Sequence, residues 1–446
     1  MRPADRNAKE FVLRTAAEHD VKFIRLWFTD ILGFLKSFAI TVEELEDAMD
    51  DGEVFDGSSI EGFARRDEHD MIAMPDPSTF QILPWRPKES AVGRMFCDIL
   101  EPDGTPYAGD PRGVLRQSLK RASDLGYSFY VQPELEYYYL KNAELPLKPL
   151  DTGGYFDMTP LDAATDLRRD TVMALEQMGI GVELSHHEDG PSQSEISLRY
   201  TDALTMADSM MTYRLVVKEV ALRHQVYATF MPKPHARHNG NGMHIHLSLF
   251  RGNTNAFYEE AEPYHLSETA RRFIAGLMEH APETMLVTNQ WVNSYKRLVP
   301  GFEAPLYVSW ALRNRADMIR VPACPPGKHD AMRVEYRAPD SASNPYLAFA
   351  VVLAAGLEGI EKAYHLGNPA DRNVHEMSEQ ERKRLKIREL PRDLNEALKL
   401  AQQSKLLRKA LGNYLCEKLI ENKRQEWERY RTQVTDYELE TYLPLL

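Results

Sequence analysis

Three stretches of the chain alternate ionisable and apolar residues with a period of two. Glu134 and Glu136 alternate with Pro133, Leu135 and Tyr137. His244, His246 and Ser248 alternate with Met243, Ile245 and Leu247. Arg333, Glu335 and Arg337 alternate with Met332, Val334 and Tyr336. Successive side chains of a strand point to opposite faces, so each stretch places its polar set on one face. Any one of them reads as an ordinary amphipathic strand. A solvated strand face, however, favours Thr, Ser and Lys, and these carry Glu, His and Arg. Carboxylates and imidazole together are a ligand set for a hard divalent cation such as magnesium or manganese. Arginines beside them suit phosphate or carboxylate, gripped through paired hydrogen bonds. A face so charged needs ions to neutralise it, which points to metal–nucleotide chemistry on a sheet. No GxxxxGK[ST] loop occurs, so side chains and metal must hold the phosphates.

A fourth stretch, 183–200, reads as two strands joined by a tight connection at Gly190-Pro191. Glu188 ends the first strand and Glu195 lies in the second. Two carboxylates converging beside a turn repel unless a cation or proton lies between them; the alternative is a solvated hairpin tip. Asn239-Gly240-Asn241-Gly242 precedes His244 and reads as a hairpin turn or as a close backbone approach to a ligand. The segment 293–305 surrounds a single Glu303 with Pro and Gly, the composition of a mobile flap or a solvated loop. Of Arg313, Arg315 and Arg320, only Arg320 lies between apolar residues, which favours a paired position.

At 446 residues the chain is expected to form two domains, or a large one with a smaller partner. Helical periodicity over 4–19, strands at 21–28, 38–42, 80–85 and 93–100, and a helix at 43–49 make a small strand-rich unit. Phe55-Asp56-Gly57-Ser58-Ser59 reads as a loop. The turn-rich joint 101–106 sets a boundary between domains 1–105 and 106–446. Beyond it, helices over 112–125, 163–178, 203–224 and 267–280 alternate at wide spacing with strands at 127–140, 226–231, 242–250, 318–323 and 332–338. The tail from Asn344 is helical. The fold class is α+β, with an antiparallel sheet backed by helices. The net charge of −13 argues against a nucleic-acid partner. Cys97, Cys324 and Cys416 form no CxxC pair, which leaves neither a zinc knuckle nor a disulfide framework. The N-terminus lacks the apolar core of a signal peptide, and the apolar run 346–357 is too short to span a bilayer. A cytoplasmic protein with no membrane partner is expected.

Taken together these residues resemble glutamine synthetase of the bacterial class I type, over nearly the whole chain. The signatures are Phe55-Asp56-Gly57-Ser58-Ser59, Pro133-Glu134-Leu135-Glu136, and Ser185-His186-His187-Glu188 with Gln193 and Glu195. Met231-Pro232-Lys233-Pro234, Asn239-Gly240-Asn241-Gly242-Met243-His244 and Asn293-Ser294-Tyr295-Lys296-Arg297 follow. Arg333-Val334-Glu335-Tyr336-Arg337 and Asn344-Pro345-Tyr346 complete the set. The resemblance implies a β-grasp-like N-terminal domain, a larger catalytic domain, and a homododecamer of two stacked hexamers with active sites between subunits. It implies ATP and two or more Mg2+ or Mn2+ ions per site. One metal would be held by Glu136, Glu188 and Glu195, another by Glu134, His244 and Glu335. Glu183, His246, Ser248, Arg315, Arg320 and Arg333 would contact ATP. Asn239, Gly240, His244, Arg297, Glu303 and Arg337 would hold glutamate. Asp56, Ser59, Tyr155 and Glu303 would form the ammonium pocket, with Asp56 supplied by a neighbouring subunit as the base and Glu303 on the closing flap.

The implied reaction joins glutamate and ammonium into glutamine through a γ-glutamyl phosphate. The alternatives are a ligase for an organic amine such as a polyamine, and a non-catalytic structural relative. The last is disfavoured because every presumed metal ligand is present. The chain departs from the family where Ser192 stands in place of a usual Gly and at His235-Ala236-Arg237-His238. It has no segment resembling the adenylylated tyrosine loop of some members, and Arg65 resembles the feedback-inhibited subgroup.

Overall fold

A computed structural model describes residues 3–57, 70–370 and 372–446. Helix α1 (Pro3–Glu18) leads into β1 (Val21–Thr29) and β2 (Leu35–Thr41), followed by α2 (Leu45–Asp51), β3 (Glu53–Asp56), β4 (Asp70–Pro75), β5 (Gln81–Ile82) and β6 (Ala91–Leu100). They form one sheet in the order β2-β1-β6-β4-β3, with β5 also on β6. β1 and β6 are parallel and the other pairs antiparallel. The period of two divides β1 and β6 between two cores. Ile24, Leu26, Phe28, Met95, Cys97 and Ile99 pack in a small core with Val12 of α1 and Leu45 and Ala48 of α2. Trp27 and Phe96, on the opposite face, join the large core of the remaining chain and meet edge to face at 5.6 Å.

The large unit opens with α3 (Pro111–Asp124), capped by Asp110, whose carboxylate accepts from the Arg112 and Gly113 amides. Then come β7 (Ser128–Leu140), α4 (Thr165–Gln177), β8 (Val182–His187), β9 (Gln193–Leu198), β10 (Thr201–Asp202), α5 (Ala203–Arg223), β11 (Tyr227–Thr229), β12 (Met243–Arg251) and β13 (Thr254–Asn255). They are followed by α6 (Glu268–Thr288), α7 (Ser294–Arg297), β14 (Trp310–Ala311), β15 (Ile319–Arg320), β16 (Val334–Tyr336) and α8 (Pro345–Glu361). The tail holds α9 (Glu379–Arg384), α10 (Leu394–Gln403), α11 (Lys405–Leu411), α12 (Asn413–Arg431) and α13 (Asp436–Tyr442). The sheet runs β14-β15-β16-β12-β7-β9-β8. It is antiparallel except for the parallel pair β14–β15 at its edge. Among the described residues no helix is long and apolar enough to cross a membrane.

Helix α8 is buried over nearly its whole circumference, as its apolar run demands. It packs against α6 so closely that a Cβ on Gly276 would lie 2.2 Å from the Ala355 carbonyl oxygen. The expected end of α6 at His280 falls short: the helix continues to Thr288 through Pro282. Proline has no N–H to give the Met278 carbonyl. Arg388 gives one instead, with Nη2 2.6 Å from that oxygen. Other expectations also change. Phe55 and Asp56 are strand, not loop; Ser59 and Arg65 lie outside the described residues. The strand expected over 80–85 shrinks to β5, the expected strands at 226–231, 318–323 and 332–338 shorten to β11, β15 and β16, and β4 was not anticipated.

The two units are fastened by a buried arginine. Arg112 of α3 reaches Asp76 at 2.8 Å and Asp98 at 2.6 Å, both in the N-terminal unit, and Asp208 of α5 at 2.9 Å. Nearby, Gln290 donates to the Leu32 carbonyl at 2.7 Å and Asn344 to that of Asp30 at 3.1 Å. These bonds fix the β1–β2 turn on the large unit.

Candidate active site

Register brings the alternating polar residues together on one face. Glu134 of β7 stands opposite His244 of β12, and Glu136 opposite Glu195 of β9. His246 lies opposite Glu335 of β16, and Glu335 opposite Arg320 of β15. His186 of β8 lies opposite Glu195, which carries the face to the β8–β9 turn and Glu188.

Two groups of possible ligands result. His186, Glu188 and Glu195 offer atoms within 4.8 Å of one another, as do Glu134, His246 and Glu335. Glu136 completes the first group on its inner side. His244 lies between the two groups, 3.4 Å from Glu134 and 3.9 Å from Glu136. His246 is nearer to Glu134, at 2.9 Å, than His244 is. The Arg333 Nε–H donates to His246 Nδ1 at 3.2 Å, so His246 Nε2 carries the proton shared with Glu134.

The electrostatics of the two groups are opposite. Burial, then the charges of Glu188 and Glu195, push the Glu136 carboxyl well above its ordinary range. Burial and Glu195 raise Glu188 to about 7. Burial also opposes ionisation of Glu335, but Arg337, His246, His244 and Arg320 outweigh it and hold the group at about 2. Burial of Glu134 is likewise outweighed by hydrogen bonds to His244 and His246, which keep it well below the usual value. Gly242 N–H and Gln193 Nε2–H donate to Glu136 Oε2 at 2.9 and 3.0 Å, fixing that carboxylate in place. Carboxylates and imidazole converging within one buried cluster are a ligand set for a divalent cation. The donor sets therefore fit metal.

A cavity of about 420 Å³ opens over both groups, lined also by Tyr155, Glu303, Arg315, Arg320 and Arg337. A second, of about 190 Å³, is lined by Glu183, His246, Ser248 and Arg333 together with Tyr130, Tyr200 and Phe250. His246 stands in the wall common to the second cavity and the Glu134 group. Asn239, Gly240, His244, Arg297 and Glu303 surround a narrow third recess of about 20 Å³. The stretch 239–242 is no hairpin turn. A Cβ on Gly240 would lie 2.4 Å from the Pro232 carbonyl oxygen, and one on Gly242 2.7 Å from Arg297 Nη2. Arg297 is buried and donates to the Ala338 and Arg337 carbonyls at 3.0 and 3.2 Å.

Asp56 stands exposed at the end of β3, outside the walls of these three cavities, and Arg313 is also exposed. His235 packs edge-on against Tyr138 at 5.4 Å and His238 beside it at 5.8 Å, outside the same walls. Three residues near the site had been given no role. His186 needed the hairpin register to reach Glu195. Gln193 needed the approach of Glu136. Lys233 lies with Nζ 3.3 Å from the centre of the Phe302 ring, beside Glu303, a contact between segments far apart in sequence.

Residues 20–102 match the family model of the glutamine synthetase β-grasp domain, and residues 108–442 that of the glutamine synthetase catalytic domain. The chain belongs to the glutamine synthetase family. It is 56% identical over 442 residues to a glutamine synthetase of Mycolicibacterium smegmatis, covering 98% of this chain and 99% of that protein. It is 48% identical over 441 residues to the glutamine synthetase of Methanosarcina mazei, covering 98% of each. A solved GmaS/ADP complex superposes with a TM-score of 0.87 at 32% identity, over 97% of this chain and 99% of that one. The N-terminal sheet is thus the β-grasp domain, and the chain is a ligase of the glutamine synthetase type whose reaction is glutamine synthesis.

Proposed function

We propose that glutamate, ATP and ammonium meet in the 420 Å³ cavity, with the residue roles that family membership suggests. The observation that carries this reading is the pairing of two ligand groups on one sheet face, one poor in compensating cations and one rich in arginine. Glu136, Glu188 and Glu195, with His186 beside them, would hold one Mg2+ or Mn2+. Glu134, His244 and Glu335 would hold another, with His246 close enough to share that role. These residues would thereby place positive charge beside the ATP phosphates, the chemistry a divalent cation supplies to phosphoryl transfer. Glu183, His246, Ser248 and Arg333 would line the nucleotide cleft, with Arg315 and Arg320 nearer the transferred phosphate. Asn239, Gly240, His244, Arg297, Glu303 and Arg337 would orient glutamate, so that its γ-carboxylate attacks the γ-phosphorus, the bond to the β–γ bridging oxygen breaks, ADP leaves and γ-glutamyl phosphate forms. Ammonium has no lone pair to attack with. Asp56 of a neighbouring subunit would take its proton in a pocket shared with Ser59, Tyr155 and Glu303, and ammonia would displace phosphate. Glu303, on the segment closing the cavity, would help exclude water that hydrolyses the acyl phosphate.

The exposed position of Asp56 supports sites shared between subunits of a homododecamer, with a β-grasp domain of residues 1–105 and a catalytic domain of 106–446 in a cytoplasmic enzyme. Phosphate release with glutamate, ATP and a series of amines tests the reading. Ammonium should give a higher kcat/KM than methylamine, ethanolamine, putrescine or spermine. A larger value for any organic amine would replace glutamine synthesis by γ-glutamyl-amine synthesis as the principal activity.

A further inference from the structure

Ser192 is fully buried and has a φ of +66°, a left-handed backbone that glycine adopts without strain and serine does not. Its side chain accounts for its presence. The Asp151 N–H donates to Ser192 Oγ at 2.7 Å, and the Ser192 N–H donates to Asp151 Oδ1 at 2.8 Å. Asp151 does more than bind Ser192. Its Oδ1 lies 3.1 Å from Nε2 of buried His187, and its Oδ2 accepts from Ala163 N–H at 2.9 Å. The segment 151–163 is therefore a closed loop pinned at both ends to one carboxylate. That carboxylate is tied to the end of β8 at His187 and to the β8–β9 turn at Ser192.

The pinned partners are neighbours of the acidic cluster. His187 precedes Glu188, and Ser192 precedes Gln193, which holds Glu136. The loop itself carries Tyr155, which lines the cavity, lies 4.0 Å from Phe156 ring to ring, and meets His186 edge-on at 5.4 Å. Phe156 N–H bonds the His187 carbonyl at 3.1 Å. A shift at Ser192 would thus move Tyr155 relative to Glu188.

We infer that Ser192 is a positioning residue: its hydroxyl, acting through Asp151, fixes the Tyr155 loop over the acidic cluster and so sets which amine the site accepts. The link to the amine rests on the ligase reading above; the link to the loop does not.

Ser192→Gly separates positioning from folding, because it removes the hydroxyl while relieving the backbone strain. In the assembled enzyme it should melt at or above the parent temperature. Amide hydrogens of residues 152–161 should nevertheless exchange faster. The KM for ammonium should rise about fivefold, the equivalent of one lost hydrogen bond. The kcat/KM ratio of ammonium to methylamine should fall, while the KM for ATP should stay within about twofold on the same reasoning. Ser192→Ala should share the kinetic change and melt lower, since it keeps the strained backbone; if it fails to fold, the glycine variant alone decides. Unchanged exchange, or unchanged amine kinetics, in Ser192→Gly overturns the inference. If the parent forms no glutamine at all, the ligase reading falls, and faster exchange still establishes the loop connection.

Discussion

Arg112 is the sharpest place to test what holds the two domains together. Its side chain is 3% exposed and faces Asp76, Asp98 and Asp208 at 2.6–2.9 Å. Arg112→Met keeps the bulk and removes the charge. The three carboxylates do not suffer equally. Arg116 also bonds Asp76 at 2.7 Å and Asp98 at 3.1 Å, so those two keep a cation. Asp208 loses both of its guanidinium bonds and keeps the Tyr346 hydroxyl at 2.6 Å and the more distant charge of buried Arg94. Breaking one half of a buried pair costs about 3–5 kcal/mol, because the remaining charge is stranded. The lower end applies here, as Arg116 compensates two of the three acids. Urea unfolding at neutral pH, followed by tryptophan emission that includes Trp27 at the domain interface, should show a loss of about 3 kcal/mol. Adding Asp208→Asn should return about half of it, since the stranded charge is then gone. The parent should also lose stability in acid. Burial opposes ionisation of Asp76, but Arg112, the Ser78 hydroxyl and Arg116 outweigh it and depress the carboxyl to about 2. A depressed carboxyl stabilises the fold fully above its ordinary value near 3.8 and less as pH falls toward 2. In Arg112→Met that acid-sensitive increment should shrink. A variant within about 1 kcal/mol of the parent, or no rescue by Asp208→Asn, would refute the account.

Two further outcomes follow from the site. Glu188, raised to about 7 by burial and Glu195, must release a proton when a cation binds. Glu136, also raised, would release a second proton, so manganese affinity of the apo enzyme, followed by calorimetry, should rise at least about tenfold per pH unit approaching 7; a flat profile below 7 counts against the His186–Glu188–Glu195 group. Subunits carrying Asp56→Ala and subunits carrying Arg337→Ala should each be inactive alone and regain activity in a fraction of sites after exchange. Proven co-assembly without activity removes the shared site.

The face of each site strand was legible because a period of two is a local property. Glu134 with Glu136, His244 with His246, and Arg333 with Glu335 and Arg337 needed no knowledge of their neighbours. Register is not local, and what the sequence leaves out follows from that. His186 joins Glu195 only through the β8–β9 pairing. His246 comes within reach of Glu134 and Glu335, beside His244, because β12 pairs with both β7 and β16. Pro282 signals a helix end in any reading of neighbours alone; the bond from Arg388, more than a hundred residues away, lets α6 continue. Asp56 was read as loop because glycine and serines follow it, whereas β4, which pairs with it across residues 57–69, makes it strand.

The distribution of charge along the catalytic sheet argues for the direction in which substrates would lie. On the β15–β16 side, Glu335 is matched by Arg320 and Arg337 and stays ionised without further help. Its surplus of guanidinium groups, extended by Arg333, favours a polyphosphate, while Arg315 stands between the two ends, hydrogen-bonded to Tyr155 and facing both Glu303 and Glu335. On the β8–β9 side, Glu136 and Glu188 are raised by burial and then by their own crowding, and Arg297 and His186 do not offset this. That end favours cations, and Tyr155 and Glu303 line the same cavity. Reversing the order would put phosphate against uncompensated carboxylates, repulsive at short range in a poorly screened cavity. In the proposed reaction, phosphoryl transfer would therefore lie toward Arg320, Arg333 and Arg337 rather than toward the acidic hairpin.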